Sequence, residues 1–218
     1  MEASWHYVQN TFESATRRSN KKALILFEDT MAKLKSEGQI NPNVQAIADY
    51  FEPHYSSYQN LFAQKQGSNG LYEGRTLGFE MLIEQLNERL RTWEGQVHNH
   101  YPEDSVEDRT IFPNRRNPFL KGPYDLRISA LSTLAQQLSN YAVLATTASL
   151  VSSFYNQIEG ARLLQQQHEG NSARYASLLE DQRLRTCDEL YGVLARLMFE
   201  FRNNRERVTT FFDLTLLK

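Results

Sequence analysis

The chain has 218 residues, 40% hydrophobic and 23% charged, with a formal charge of −2 and one cysteine, Cys187. That length can bury a proper core, the charge argues against a generic nucleic-acid binder, because phosphate contacts demand a basic excess, and a lone cysteine excludes an intrachain disulfide. The first residues lack the basic-then-apolar order of a secretory signal, and the longest apolar runs, "ALILF" at 23–27 and "YAVLA" at 141–145, are too short to span a bilayer, so the expectation is a cytoplasmic protein with no membrane insertion.

Trp5, Val8, Phe12 and Ala15, then Leu24, Phe27, Met31 and Leu34, recur at three-four spacing and predict N-terminal helices. Between the two runs lies "RRSNKK", 17–22. Either Asn20 caps a fresh helix there, or one helix runs through with a wet turn. Its four positive charges read as a solvated face or as a patch for an acidic partner. "NPN" at 41–43 predicts a helix start, with Asn41 as cap and Pro42 in the first turn. "EP" at 52–53 is expected to end or kink that helix, and "GSNG" at 67–70 reads as a loop. Gly74 and Gly78, four apart, form a smooth strip if both are helical. That strip means a close helix–helix contact, between subunits for instance, or only a frayed helix start.

Phe79, Leu82, Leu86, Leu90, Trp93 and Val97 then make a clean helical stripe. "HNH" at 98–100 lacks the scaffold a metal nuclease would need, and reads as a polar helix end. The connection over about 98–123 is long for a helical bundle, and loops of that length are functional or disordered. Its core, "IFPNRRNPFLKGPYD" at 111–125, holds three of the six prolines. Ile111, Phe112, Phe119, Leu120 and Tyr124 can anchor it, and "EDSVED" at 103–108 adds a helical turn. Two readings follow. In one it is a strap closing the bundle, with Arg115 and Arg116 paired to local acids. In the other it is a recognition loop in which Arg115, Arg116, Phe119 and Tyr124 meet a carboxylate or phosphate partner.

The last 95 residues contain no proline. Tyr124, Ile128, Leu131, Leu134, Leu138 and Tyr141 form one stripe, and Leu144, Thr147, Val151, Phe154, Ile158 and Ala161 form the next. "EGN" at 169–171 is read as a hairpin with Asn171 or Ser172 capping the following helix, in preference to one helix of about sixty residues. The final stripe is Leu184, Cys187, Tyr191, Leu194, Met198 and Phe201, with Arg183 and Arg185 assigned to other faces. Cys187 is expected to be core packing and not a nucleophile. The tail, with Val208, Phe211, Phe212, Leu214 and Leu216, is too apolar to stay unbound. It closes the end of its own core, or it reaches as an arm into a neighbour.

No Glu-x-x-His, His-Glu-x-x-His or phosphate-cradling glycine loop is present, so no cofactor and no metal is expected. These readings combine into an all-α fold of roughly 65–75% helix, a single domain over 1–218. It would be an antiparallel bundle of five or six mostly long helices: helices at about 4–100, a proline-rich strap at about 101–123, long helices at about 124–204 and an apolar tail at 205–218. The expected function is a non-enzymatic structural or protein-interaction module that self-associates or binds a protein partner. A component of a phage- or secretion-type assembly is the special case, and an enzyme or small-molecule binder with a site under 111–125 is the alternative class.

Overall fold

A computed structural model describes residues 10–17, 19–213 and 215. Its regular elements are all helical, and helix takes a larger share of the described residues than expected. In chain order they are α1 (Thr11–Thr16), α2 (Asn20–Gly38), α3 (Pro42–His98), α4 (Val106–Ile111), α5 (Asn117–Leu120), α6 (Tyr124–Ser139), a 3₁₀ turn (Ala142–Leu144), α7 (Ala145–Glu200) and α8 (Arg205–Thr209). Among the described residues no helix is long and apolar enough to cross a membrane. Trp5 and Val8 lie outside the described residues.

Where five or six mostly long helices were expected, two helices of 57 and 56 residues run with shorter ones around them. Pro53 lies inside α3 and does not end it. Phe51 and Tyr58 on either side are fully buried, so packing on both flanks outweighs the lost backbone bond. "GSNG" is helical as well, and so is "EGN". The expected hairpin at 169–171 is therefore replaced by an unbroken α7. The reason is visible at Ser172, which caps nothing: its hydroxyl donates to Asn69 Oδ1 at 2.7 Å and accepts from Lys65 Nζ at 2.8 Å. These bonds hold the glycine-containing turns helical, against about 1 kcal/mol of propensity per glycine.

The fold divides into two compact units, residues 1–69 with 171–218, and residues 70–170. Each has its own apolar core. In the first unit α2, the first part of α3 and the last part of α7 bury Phe27, Leu34, Phe51, Tyr58, Leu190 and Leu197. Tyr50 donates to Glu189, and Asn41 Nδ2 donates to Glu200 at 2.9 Å, so the two long helices run in opposite directions there. Asn41 also caps α3 as expected, its Oδ1 accepting from Asn43 N at 2.9 Å. In the second unit the stripe Phe79, Leu86, Leu90, Trp93 and Val97 packs with Leu131, Leu138, Val151 and Phe154. Gln165 Nε2 donates to Thr76 Oγ1 at 3.1 Å and Thr147 Oγ1 to Gln96 Oε1 at 3.0 Å, again an antiparallel order.

One stripe sits a position away from its expected register. On α7 the buried line is Leu179, Arg183, Cys187, Leu190, Val193 and Leu197, while Met198 is half exposed and Leu184, Tyr191 and Leu194 form the flank. Two apolar lines interleave in this sequence, and only the packing of α2 and α3 selects between them. Arg183 therefore shares the face of Cys187, four residues on, and the assignment of Arg183 to another face is corrected.

Candidate functional site

The strap is built around one buried acid. Ser105 caps α4 by accepting from Asp108 N at 3.2 Å. That turn points the Asp108 carboxylate inward, where its side chain is 1% exposed. Three donors meet it: His98 Nε2 at 3.1 Å, Asp104 N at 2.9 Å and Arg115 Nη1 at 3.3 Å. Asp104 and Arg115 both take positive φ, 64° and 51°. Non-glycine residues rarely adopt this conformation, and the ion-paired turn holds them in it.

Arg115 also reaches Asp104 Oδ1 at 2.6 Å and Glu103 Oε1 at 3.3 Å, and Arg116 Nε lies 3.4 Å from Glu94 Oε2. Both guanidiniums stand paired with acids of their own unit. Phe119 is core: it is buried, its ring lies 6.3 Å from that of Phe112, and its carbonyl accepts from Arg127 Nε at 2.7 Å. Tyr124 opens α6 at the rim, edge-on to Phe79 at 5.0 Å, with Arg162 and Arg127 over its ring. The four strap residues are thus in one unit but do not converge on one point. The sequence reads His98 as part of a polar helix end and Asp108 as part of a helical turn, and does not pair them. The signal that could have found them is the ten-residue spacing that brings the end of α3 back onto the first turn of α4.

A recess of about 260 Å³ opens between the strap and α6, lined by Pro113, Arg115, Pro118 and Phe119 on one side and by Thr133 and Leu134 on the other. It is mostly apolar, and the Arg115 charge at its edge is already met by acids.

The second feature lies along the α3–α7 pair of the same unit. Gly74, Gly78 and Gly160 flank a recess of about 500 Å³, with Leu82 and Leu164 on its walls and Arg75 beside it. A Cβ at any of the three glycines would meet nothing within 4 Å. Among the described residues the close helix–helix contact, one of the two readings of this strip, is not made. Leu71, Leu77 and Met81 stand more than half exposed along the same stretch of α3.

In the first unit the tail lies on its own core. Val208 and Phe211 are buried, the Phe211 ring stacks on Phe201 at 5.9 Å, and Phe212 meets Phe12 at 5.1 Å. Leu214 and Leu216 lie outside the described residues. Beside the tail is a polar knot that the sequence reading missed. Arg183, 2% exposed, holds Glu180 with two bonds of 2.9 and 2.7 Å and donates to Thr16 Oγ1 at 2.8 Å and to Glu13 O at 3.2 Å. The salt bridge holds the Glu180 carboxyl below its ordinary pKa. Burial pushes the Cys187 thiol up, against a smaller opposing effect of the Thr16 hydroxyl 3.3 Å away. Cys187 is accordingly a poor nucleophile where it stands. Among the described residues no group of three or more His, Cys, Asp or Glu is placed to hold a metal ion.

Comparisons of this chain with protein-family models, with curated proteins and with solved structures find no match.

Proposed function

We propose that the protein is a non-enzymatic helical module that associates with a second copy of itself through the glycine-lined band of α3. One observation carries the reading: Gly74, Gly78 and Gly160 stand open around an apolar recess, with Leu71, Leu77 and Met81 exposed beside it. Glycine inside a helix costs about 1 kcal/mol against alanine, and a close-approaching backbone is what offsets that cost. The band is also its own complement. Leu71 and Met81 lie five residues either side of Thr76, and Gly74 and Gly78 lie two either side. An antiparallel copy crossing at the level of Thr76 sets Gly74 against the partner's Gly78 and Leu71 against the partner's Met81. Self-complementarity of this kind is what a two-fold interface requires.

In this reading the antiparallel α3–α7 pairing is a coiled-coil-like bundle scaffold, and the cytoplasm is where it works. The recess under the strap supports a second reading, a small apolar ligand held between Pro113, Phe119 and Leu134.

Sedimentation of the wild type against Leu77→Glu with Met81→Glu tests the first reading. The expected result is a dimer that becomes monomeric with unchanged helical circular dichroism. A wild type that stays monomeric up to high concentration overturns it. Masses that step through larger whole-number assemblies move the reading to a ring- or tube-forming assembly component.

A further inference from the structure

The N-terminal helix α1 has six residues, against the twelve or more an isolated helix needs to persist. It is helical because it is seated. Phe12 is 2% and Thr16 0% exposed. Asn10 Nδ2 donates to Asp188 Oδ1 at 3.0 Å, Arg183 Nη1 holds Glu13 O and Thr16 Oγ1, and the Thr16 hydroxyl contacts the Cys187 thiol. Every one of these partners on the seat belongs to α7.

Arg17 and Ser19 are the described residues on either side of the break between α1 and α2. Arg17 is still right-handed helical, at φ −53° and ψ −27°. Ser19 is extended, at φ −159° and ψ 108°, and caps α2 by accepting from Lys22 N at 3.2 Å. Across this break the buried face keeps its phase. At about 100° per residue, Phe12, Thr16, Ala23, Phe27, Thr30 and Leu34 of an uninterrupted helix fall within an arc of about 60°, and all six are buried. The chain carries the pattern of one helix from Thr11 to Gly38 and is folded as two.

An element with two matched arrangements can be passed between copies. Turning Ser19 to helical angles lets α1 continue into α2 and carries it off its own α7. The emptied seat then bares Cys187 and the Phe212 side of the core, which the same six residues of another copy fill with identical contacts. Opposing the unbroken form is the like-charge pair Arg17 and Lys21, four apart in the sequence, whose repulsion salt screens. We infer that α1 is exchanged between two copies of the chain, each α1 filling the partner's seat on α7, with Ser19 as the hinge. This interface is in the unit that does not contain the α3 glycine band, and it holds whether or not that band pairs.

The 3.3 Å contact between Thr16 and Cys187 supplies the trap. In the full-length Thr16→Cys variant the new thiol is in disulfide reach of Cys187 of whichever copy seats it. After oxidation at rising protein and salt concentration, the linked peptides are mapped from the monomer and dimer bands of a non-reducing gel. Exchange requires the 16–187 link in the dimer band, its share rising several-fold with protein and again with salt, and persisting when Leu77→Glu and Met81→Glu are added. A 16–187 link confined to the monomer band at every concentration overturns it, and so does a dimer link that vanishes with the α3 changes. In the Leu77→Glu, Met81→Glu background, Ser19→Ala, which needs no new cysteine, removes the cap of the broken form and is expected to raise the dimer share at least threefold. An unchanged share in that variant rejects the hinge.

Discussion

Among the described residues each unit buries one charged side chain, and the two are of opposite sign. In the first it is Arg183, at 2% exposure, and in the second Asp108, at 1%. Both secure a closing piece: Arg183 holds α1 against α7, and Asp108 holds the strap turn under the end of α3. They differ in where the partners come from. All the groups that meet Asp108 lie within residues 98–115, so the strap closes itself locally. The groups that meet Arg183, apart from Glu180, come from residues 13 and 16, nearly the whole chain away. A long-range closure has to be assembled after the rest of its unit and is the first to be given up, because its loop-closure entropy is recovered only when all its contacts form.

The sharpest way to break this comparison is to remove the half-exposed partner and leave the buried ion. Glu180→Ala strands Arg183 and is expected to cost about 3 kcal/mol in urea denaturation, the low end for a buried ion pair because Glu180 is itself half exposed. Adding Arg183→Met should return most of that loss, since an apolar side chain of similar volume no longer requires a counter-charge. A double variant as unstable as the single one would mean that Glu180 matters through packing and not through the buried cation.

On the other side, Arg115→Ala leaves Asp108 with His98 and the Asp104 amide. It should cost less, about 1.5–3 kcal/mol for a charged hydrogen bond. Arg116→Ala should cost about 1 kcal/mol or less, as a single 3.4 Å contact between partly buried groups. Losses in the reverse order would show that Glu94, and not Asp108, anchors the strap.

Among the described residues the buried hydroxyls without a partner, Thr30 and Ser68, are both in the first unit. Thr30→Val keeps the shape and removes the orphan, so a gain of about 1 kcal/mol is expected by thermal melting. A loss would reveal a hidden partner for Thr30.

Acid should separate the units least, yet with a definite sign. The Arg183 salt bridge holds the folded-state pKa of Glu180 below its ordinary value. The stability it contributes is therefore present above the unfolded-state pKa and fades as pH falls through the folded one. Glu180 is about half exposed, so solvent screens the effect. Glu180→Gln should flatten the acid limb of the first unit's melting curve below the ordinary glutamate range, and an unaltered limb would assign acid sensitivity to other carboxylates.

Helicity was legible residue by residue. The stripe from Phe79 to Val97 is buried nearly as its spacing implies, and Ser105, although not singled out as a cap, sits where "EDSVED" was read as a helical turn. The strap residues were legible as a group, but their roles were not. Phe119 is a core anchor, and the Arg115 and Arg116 charges are already matched, facts that depend on which acids fold back onto them.

What the sequence determined by itself is the all-helical class, the apolar faces of most helices and the start of α3 at Asn41, because each follows from signals within a few residues. What only the tertiary structure decided is how far each helix runs, which of two interleaved lines on α7 is buried, and whether α1 is separate from α2. "GSNG" and "EGN" are breakers by local propensity, but Lys65, Asn69 and Ser172 bond across roughly a hundred residues and keep both segments helical. Local pattern cannot register such bonds. Their partners are distant in the chain, and a few hydrogen bonds between packed helices outweigh the kilocalorie or so that each glycine costs.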